Sequence, residues 1–243
     1  MTVQLNGNRG GSASALLHPA GPPRVAPDRL TAVALIAHGE SPGGDLLETV
    51  AAEGFEPAVL TGGPSAALPD PGSLRAAVLL GSARAQHAAD DGYLAAELEW
   101  LRRADAAGTP VLGIGHGARA LALAFGGTVE PAERPIRGWV MVDTSVPHLV
   151  PTGPWLTWQH DVIGLPDGAE LLAHNRLGPQ VFRIGRHFGV QFHPEATART
   201  VARWVARDDG HLDPRLLLAA IERDANAATA CARRLFATFM QTV

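Results

Sequence analysis

One cysteine, Cys231, is all the chain has among 243 residues. An intrachain disulfide is excluded, and nothing points to an oxidising compartment. No apolar run approaches the roughly 18 to 20 residues that a membrane-spanning helix needs, and no basic segment followed by an apolar one opens the chain. The basic residues are scattered rather than gathered into a stripe, and the formal net charge is -4. No nucleic-acid footprint is therefore expected. These absences predict a cytoplasmic protein with neither nucleic acid nor membrane as partner. What is present is 46% apolar content, enough to bury one substantial α/β core.

The texture of the chain changes along its length. Residues 1–29 are rich in Gly, Ser, Ala and Pro without a sustained period, so they are expected to form a disordered amino-terminal arm. From residue 30 short apolar strands alternate with helical stretches: strands at 31–38, 56–60, 75–81 and 109–115, helices at 45–54, 91–108 and 118–127. Such alternation with short connections implies crossover units and a mainly parallel sheet flanked by helices. Beyond Gly138 strand follows strand, at 138–144, 154–161, 169–175, 180–186 and 187–193, which predicts a β-rich flank. Two amphipathic helices are expected at 214–225 and 226–241, from apolar spacings of three and four. The expected domain runs over 30–208, with 209–243 as a helical extension packed on it.

In a parallel sheet, ligands collect where loops leave the carboxyl ends of the strands. Three such loops carry polar residues suited to chemistry: Gly81-Ser82-Ala83-Arg84, the turn at Gly115, and Gly189-Val190-Gln191-Phe192-His193-Pro194-Glu195. The stretch PVLGIGHGARALALAFGG (110–127) reads as strand, Gly-rich turn and helix, the plan of a nucleophile elbow. A nucleophile at its tip would sit at a helix amino terminus, where negative charge is stabilised. Yet the tip is Gly115, which has no side chain.

The intact Gly-x-Gln-Phe-His-Pro-Glu of residues 189–195, the elbow, Trp158-Gln159-His160-Asp161 with Leu165-Pro166-Asp167-Gly168-Ala169, Ala95-Ala96-Glu97-Leu98, Gly126-Gly127 and Gly138-Trp139 together resemble the class I glutamine amidotransferases, in particular the stand-alone GMP-synthase-like kind. The similarity covers about residues 31–206 and implies a flavodoxin-like α/β architecture. In that family a cysteine thiolate at the elbow attacks the amide of glutamine, a histidine is the base and a glutamate orients it, the general logic of a triad. The resemblance makes His193 the base and Glu195 its orienter, and leaves the nucleophile position vacant at Gly115. It also implies substrate contacts from Gly81, Ser82, Arg119, Gln191, His160 and Trp158.

Departures gather at this site. Arg119 replaces the family's glutamine, Gly81-Ser82-Ala83 replaces its Gly-Gly-Pro loop, and His116 stands where an apolar residue is usual. Thr61-Gly62-Gly63-Pro64-Ser65 is a decoy, because it precedes the strand at 75–81 instead of following it. Cys231, with apolar neighbours at helical spacing, reads as packing. Ser82 and His116 remain candidates for altered chemistry. His116 with His193 and His160 matches no metal signature, and neither metal nor cofactor is expected. Arg119 has two readings, a cation awaiting a carboxylate or phosphate ligand, or an ion pair with Glu195 or Asp161. His38, His187 and the Asp90-Asp91 pair read as structural, the last as a helix cap.

The expected function is therefore an amidotransferase-like protein that has lost glutaminase activity, with its pocket turned to a small acyl, amino or anionic substrate in a biosynthetic pathway. Two alternatives stand beside it. One is a non-catalytic binding or regulatory module, or an accessory subunit of a synthetase or other biosynthetic partner; the other is an authentic amidotransferase whose cysteine has been mutated.

Overall fold

The computed structural model describes residues 32–38, 46–62, 68–80, 92–206 and 214–242. The expectations for the amino-terminal arm, the 81–84 loop and the Asp90-Asp91 cap lie outside these residues. In chain order the elements are β1 (Ala32–His38), α1 (Leu46–Ala52), β2 (Glu56–Gly62), β3 (Ala76–Leu79), α2 (Gly92–Ala106), β4 (Val111–Ile114), α3 (His116–Ala124), β5 (Thr128–Val140), β6 (Asp143–Thr144), β7 (Trp155–Gly164), β8 (Glu170–Asn175), β9 (Gly178–Ile184), β10 (His187–Val190), α4 (Ala198–Val205) and α5 (Pro214–Gln241).

Continuous apolar runs in β1, β3 and β4 mark strands buried on both faces, and side chains alternate between those faces along each strand. Val33, Leu35, Ala76 and Val78 point into one core, Ala34, Ile36, Ala77 and Leu79 into the other. The first core is closed by α1 and by Leu235, Phe236, Phe239 and Met240 of α5. The second is closed by Trp100 and Leu101 of α2 and by Leu121 of α3. One sheet thus separates two cores.

That sheet has the order β2-β1-β3-β4-β10-β9-β8-β6, parallel from β2 to β10 and antiparallel from β10 to β6. The α/β fold with a mainly parallel, helix-flanked sheet stands as expected. The β-rich flank is partly an extension of the main sheet and partly a separate ribbon, β5 paired antiparallel with β7.

Three expectations need correction. The segment 138–144 is not one strand: β5 begins ten residues earlier at Thr128 and ends at Val140, and β6 belongs to the other sheet. Pro131 and Pro135 hid the first half, because proline cannot donate to a ladder; the ribbon accommodates them with a register shift between Pro131 and Ile136. The two carboxy-terminal helices are one, α5, of 28 residues. No Gly or Pro lies between Arg215 and Gln241, and the polar residues Asp224 and Asn226 are only weakly unfavourable within a helix. Third, α4 had no counterpart in the sequence reading; its start is fixed by Thr197, whose hydroxyl accepts a hydrogen bond from the Thr200 N–H at 3.2 Å. No helix among the described residues is long and apolar enough to cross a membrane.

Candidate functional site

Strands β3, β4 and β10 are neighbours and parallel, so their carboxyl ends open on one place. The turn after β4 is drawn tight by its glycines. A Cβ on Gly113 would collide with the Gly117 carbonyl, and one on Gly117 with the Leu79 carbonyl of β3. The helix can therefore rest this close to the sheet only without side chains at those positions. Between them Gly115 takes φ 55°, ψ -103°, a conformation costly for any other residue, and its N–H donates to Val190 O at 2.8 Å. The elbow is thus tied to the end of β10. Apart from Leu123, every residue of α3 is buried.

Directly after β10 the chain delivers His193 to the elbow. Phe192 is buried and stacks on Trp155 at 4.2 Å, and the His193 N–H donates to Leu156 O at 2.7 Å, so β7 fixes this segment from the side. His193 Nδ1 lies 2.9 Å from Glu195 Oε1, both residues being buried. Glu195 Oε2 has no hydrogen-bond partner among the described residues. The other side of the imidazole faces Gly115: a Cβ placed there would stand 2.7 Å from Cε1 and 3.1 Å from Nε2. The ring therefore occupies the space into which a side chain at 115 would project. The base and orienter that the resemblance implied are brought together at the vacant tip.

The remaining candidates separate into groups. Arg119, one turn into α3, is buried and pairs through a guanidinium NH with Asp161 Oδ2 at 3.4 Å. Burial lowers its pKa from the ordinary arginine value, and Asp161 opposes that shift. Of the two readings of Arg119, the ion pair with Asp161 is the one observed. Gln191 joins the same group, its amide donating to Asp161 O at 2.9 Å, while its Oε1 has no hydrogen-bond partner among the described residues. The side chain of Gln159 reaches that carbonyl as well, at 3.4 Å, and accepts from Thr157.

His160 lies apart from this group. Along β7 successive side chains alternate, so Gln159 and Asp161 are buried whereas His160 is exposed. It is Asp161 that β7 turns toward the elbow helix. Trp158 is half-buried, with Arg137 stacked over it at 5.2 Å and Trp204 of α4 at 5.7 Å. Trp204 in turn sets its edge against the His193 ring, centroids 4.9 Å apart and planes at 64°. Trp158 is therefore one ring removed from His193. His116 points to α2, where its Nε2 is 2.6 Å from Glu97 Oε2 in a buried pair. Among the described residues no group of three or more His, Cys, Asp or Glu could hold a metal ion.

Gly81, Ser82 and the side chain of His38 lie outside the described residues. His187, six residues before His193, stands at the opposite end of β10, buried against Phe125 and hydrogen-bonded through Nε2 to Asp105. Cys231 donates to Gly153 O at 3.5 Å and is half-buried on α5, as its packing role requires. Trp204, Glu97 and Gln159 were missed as site neighbours. Glu97 and Gln159 each left a mark in the sequence, within Ala95-Ala96-Glu97-Leu98 and Trp158-Gln159-His160-Asp161; Trp204 follows an unrecognised cap.

Comparison with known proteins bears on the family and the fold. The profile of the family described as glutamine amidotransferase class-I matches residues 81–208, more than half of the chain. A GMP synthase (glutamine-hydrolyzing) of Marinobacter nauticus is 34% identical over 107 residues, 37% of this chain and 20% of its own length. Another from Thermomicrobium roseum is 32% identical over 108 residues, 42% of this chain and 20% of its own. The chain thus spans about a fifth of the length of these curated relatives. A crystal structure of a glutamine amidotransferase from Thermotoga maritima matches with a TM-score of 0.76 and 25% identity, over 87% of this chain and 99% of its own. One from Methylobacillus flagellatus shares the fold, with a TM-score of 0.78 and 20% identity over 88% and 95% of the two chains. The chain belongs to the class-I glutamine amidotransferase family.

Proposed function

We propose that this chain has lost glutamine hydrolysis and that its pocket, in the cytoplasm, serves a different reaction on a small acyl, amino or anionic substrate, with His193 and Glu195 as the working pair. The observation that carries this reading is Gly115. It holds the elbow conformation at φ 55° yet offers no side-chain atom, and the His193 ring fills the space beyond its Cα. A thioester with glutamine requires a thiolate at the reacting centre, which glycine cannot supply. The persistence of the 2.9 Å His193–Glu195 contact supports retained chemistry, because a base and its orienter are of use to any reaction that moves a proton or an acyl group.

The test is glutamate release from glutamine by the purified protein, together with the Gly115→Cys variant. No release is expected from either. In the variant the new Cβ would begin within 3.1 Å of two ring atoms of His193, so the thiol and the base cannot both take their working places. Release by the unaltered chain would overturn the reading; release by the variant alone would mean that the rest of a glutamine site is intact and that one lost cysteine is the whole difference.

A second reading, an accessory subunit without chemistry, is favoured by one observation. Arg119 and Asp161 neutralise each other inside the site, which leaves less charge there to hold a substrate. The matched relatives are glutamine-hydrolyzing GMP synthases of about five times the matched length, so a separate synthetase is the partner this reading implies. Stable co-elution with such a synthetase, unaltered in His193→Gln, would support it.

A further inference from the structure

Two contacts hold the imidazole of His193, and a third holds its backbone. Nδ1 faces Glu195 Oε1 at 2.9 Å, and because a carboxylate only accepts, Nδ1 carries the proton and Nε2 of the neutral ring keeps its lone pair. The edge of Trp204 holds the plane of the ring, and the backbone is pinned to Leu156 O. Nε2 makes no hydrogen bond to a described residue and stands 3.1 Å from the point where a side chain on Gly115 would begin. A lone pair thus occupies the tip of the elbow, at the amino end of α3, the position from which a residue at 115 would react.

We infer that His193 Nε2 is itself the nucleophile, and that it accepts a short acyl group from a thioester or another activated ester. This rests on the reading that the elbow has lost its nucleophile while keeping its chemistry. The lone pair of Nε2 attacks the acyl carbonyl, a bond forms between Nε2 and the carbonyl carbon, and the carbon–sulfur or carbon–oxygen bond breaks, the leaving group departing with its electron pair as thiolate or phenolate. The acylated ring is cationic, with the Nδ1 proton still shared with Glu195, whose carboxylate offsets the charge. Water then adds to the carbonyl, the bond to Nε2 breaks, the electron pair returns to the ring, and carboxylic acid and a proton are released.

The chemistry also selects the substrate. An amide nitrogen must be protonated as it leaves, and an imidazole spent as nucleophile has no proton on Nε2 to give. Thiolates and phenolates leave without one. The first turn of α3, with no side-chain cap at Gly115, favours the negative charge that develops on the carbonyl oxygen. His193 exposes only 8% of its surface, which restricts the acyl group to a short one.

The probe is 4-nitrophenyl acetate, and the chain is suited to it because it contains no lysine, the usual site of stray acetylation. The expected result is a burst of nitrophenolate equal to one acetyl per chain, faster than the same concentration of free imidazole. Rapid mixing followed at once by fragmentation of the intact chain in the mass spectrometer, with no digestion, should place the acetyl on His193 and not on His187, six residues before it. His193→Gln should abolish the burst, and Glu195→Gln should slow it by about 10²-fold with the acetyl still on His193. An acetyl found on Ser82, Cys231 or the terminal amine would overturn the proposal, as would turnover with no trapped acetyl, or a rate no greater than that of imidazole. Should His193→Gln fail to fold, the location of the acetyl in the unaltered chain decides. Glutamate release tests only the loss of glutaminase activity and the acetyl tests only the role of His193, so failure of the one is told apart from failure of the other.

Discussion

At the scale of single residues, Gly115 and His193 make one measurable pair. Gly115→Ala imposes a positive φ on an L side chain and also drives its methyl group against the His193 ring. A cost of about 1–3 kcal/mol is expected from the backbone alone. Gly126, also at positive φ but with open space around its Cβ, isolates that backbone part. Urea midpoints should show Gly115→Ala as the more destabilising of the two; equal losses would mean that the ring gives way freely. His187 offers a second test at this scale. Burial lowers its pKa from the ordinary 6.5, with Asp105 opposing the shift. The unfolded chain therefore takes up this proton at a higher pH than the folded one. The stability contributed by a neutral His187 is full above about pH 6.5 and is lost as pH falls toward the lowered folded value. His187→Gln should flatten that part of the stability curve, and an unchanged slope would assign the loss to other groups.

At the scale of elements, legibility followed the hydrophobic period. β1, β3, β4 and β10 are short, largely apolar runs buried on both faces, whereas His193 and Glu195 were singled out by the resemblance of residues 189–195 to a family motif and not by any period. What could not be read depended on pairing across distance. Nothing local told that Asp161 rather than Glu195 would meet Arg119, that His116 would turn to Glu97, or that His160 would face out. Each was decided by the register of β7 or the packing of α2 on α3. Helix boundaries failed for a different reason: at Asp224 to Asn226 a dip in propensity looked like a break, yet packing of the flanking turns carries the helix through. Asn226→Pro tests the continuity of α5. Within an unbroken helix it should cost about 3 kcal/mol or more, visible as a lower thermal midpoint, whereas a junction between two helices would tolerate it.

At the scale of the molecule, the two cores share one sheet, so damage to either should be felt by both. Phe236→Ala empties space on the α5 face and Leu121→Ala on the α3 face. Losses of about 2–5 kcal/mol are expected from each. Because the residues lie on opposite faces, the double variant should show their sum to within about 0.5 kcal/mol in one urea transition of unaltered steepness. Two separated transitions would show instead that the faces unfold independently.

The unequal embedding of α3 and α4 has a mechanical consequence. α3 is walled in by the sheet and α2, while α4 buries only Thr200 and Val201 and is held by the Thr197 cap, a small apolar cluster with Leu156 and Ile221, and the Trp204 ring contacts. The elbow is thus the deeply anchored wall beside His193, and α4, carrying Trp204, the shallow one. A disturbance of α4 reaches the His193 ring through one indole, whereas a disturbance of α3 must work against the whole sheet.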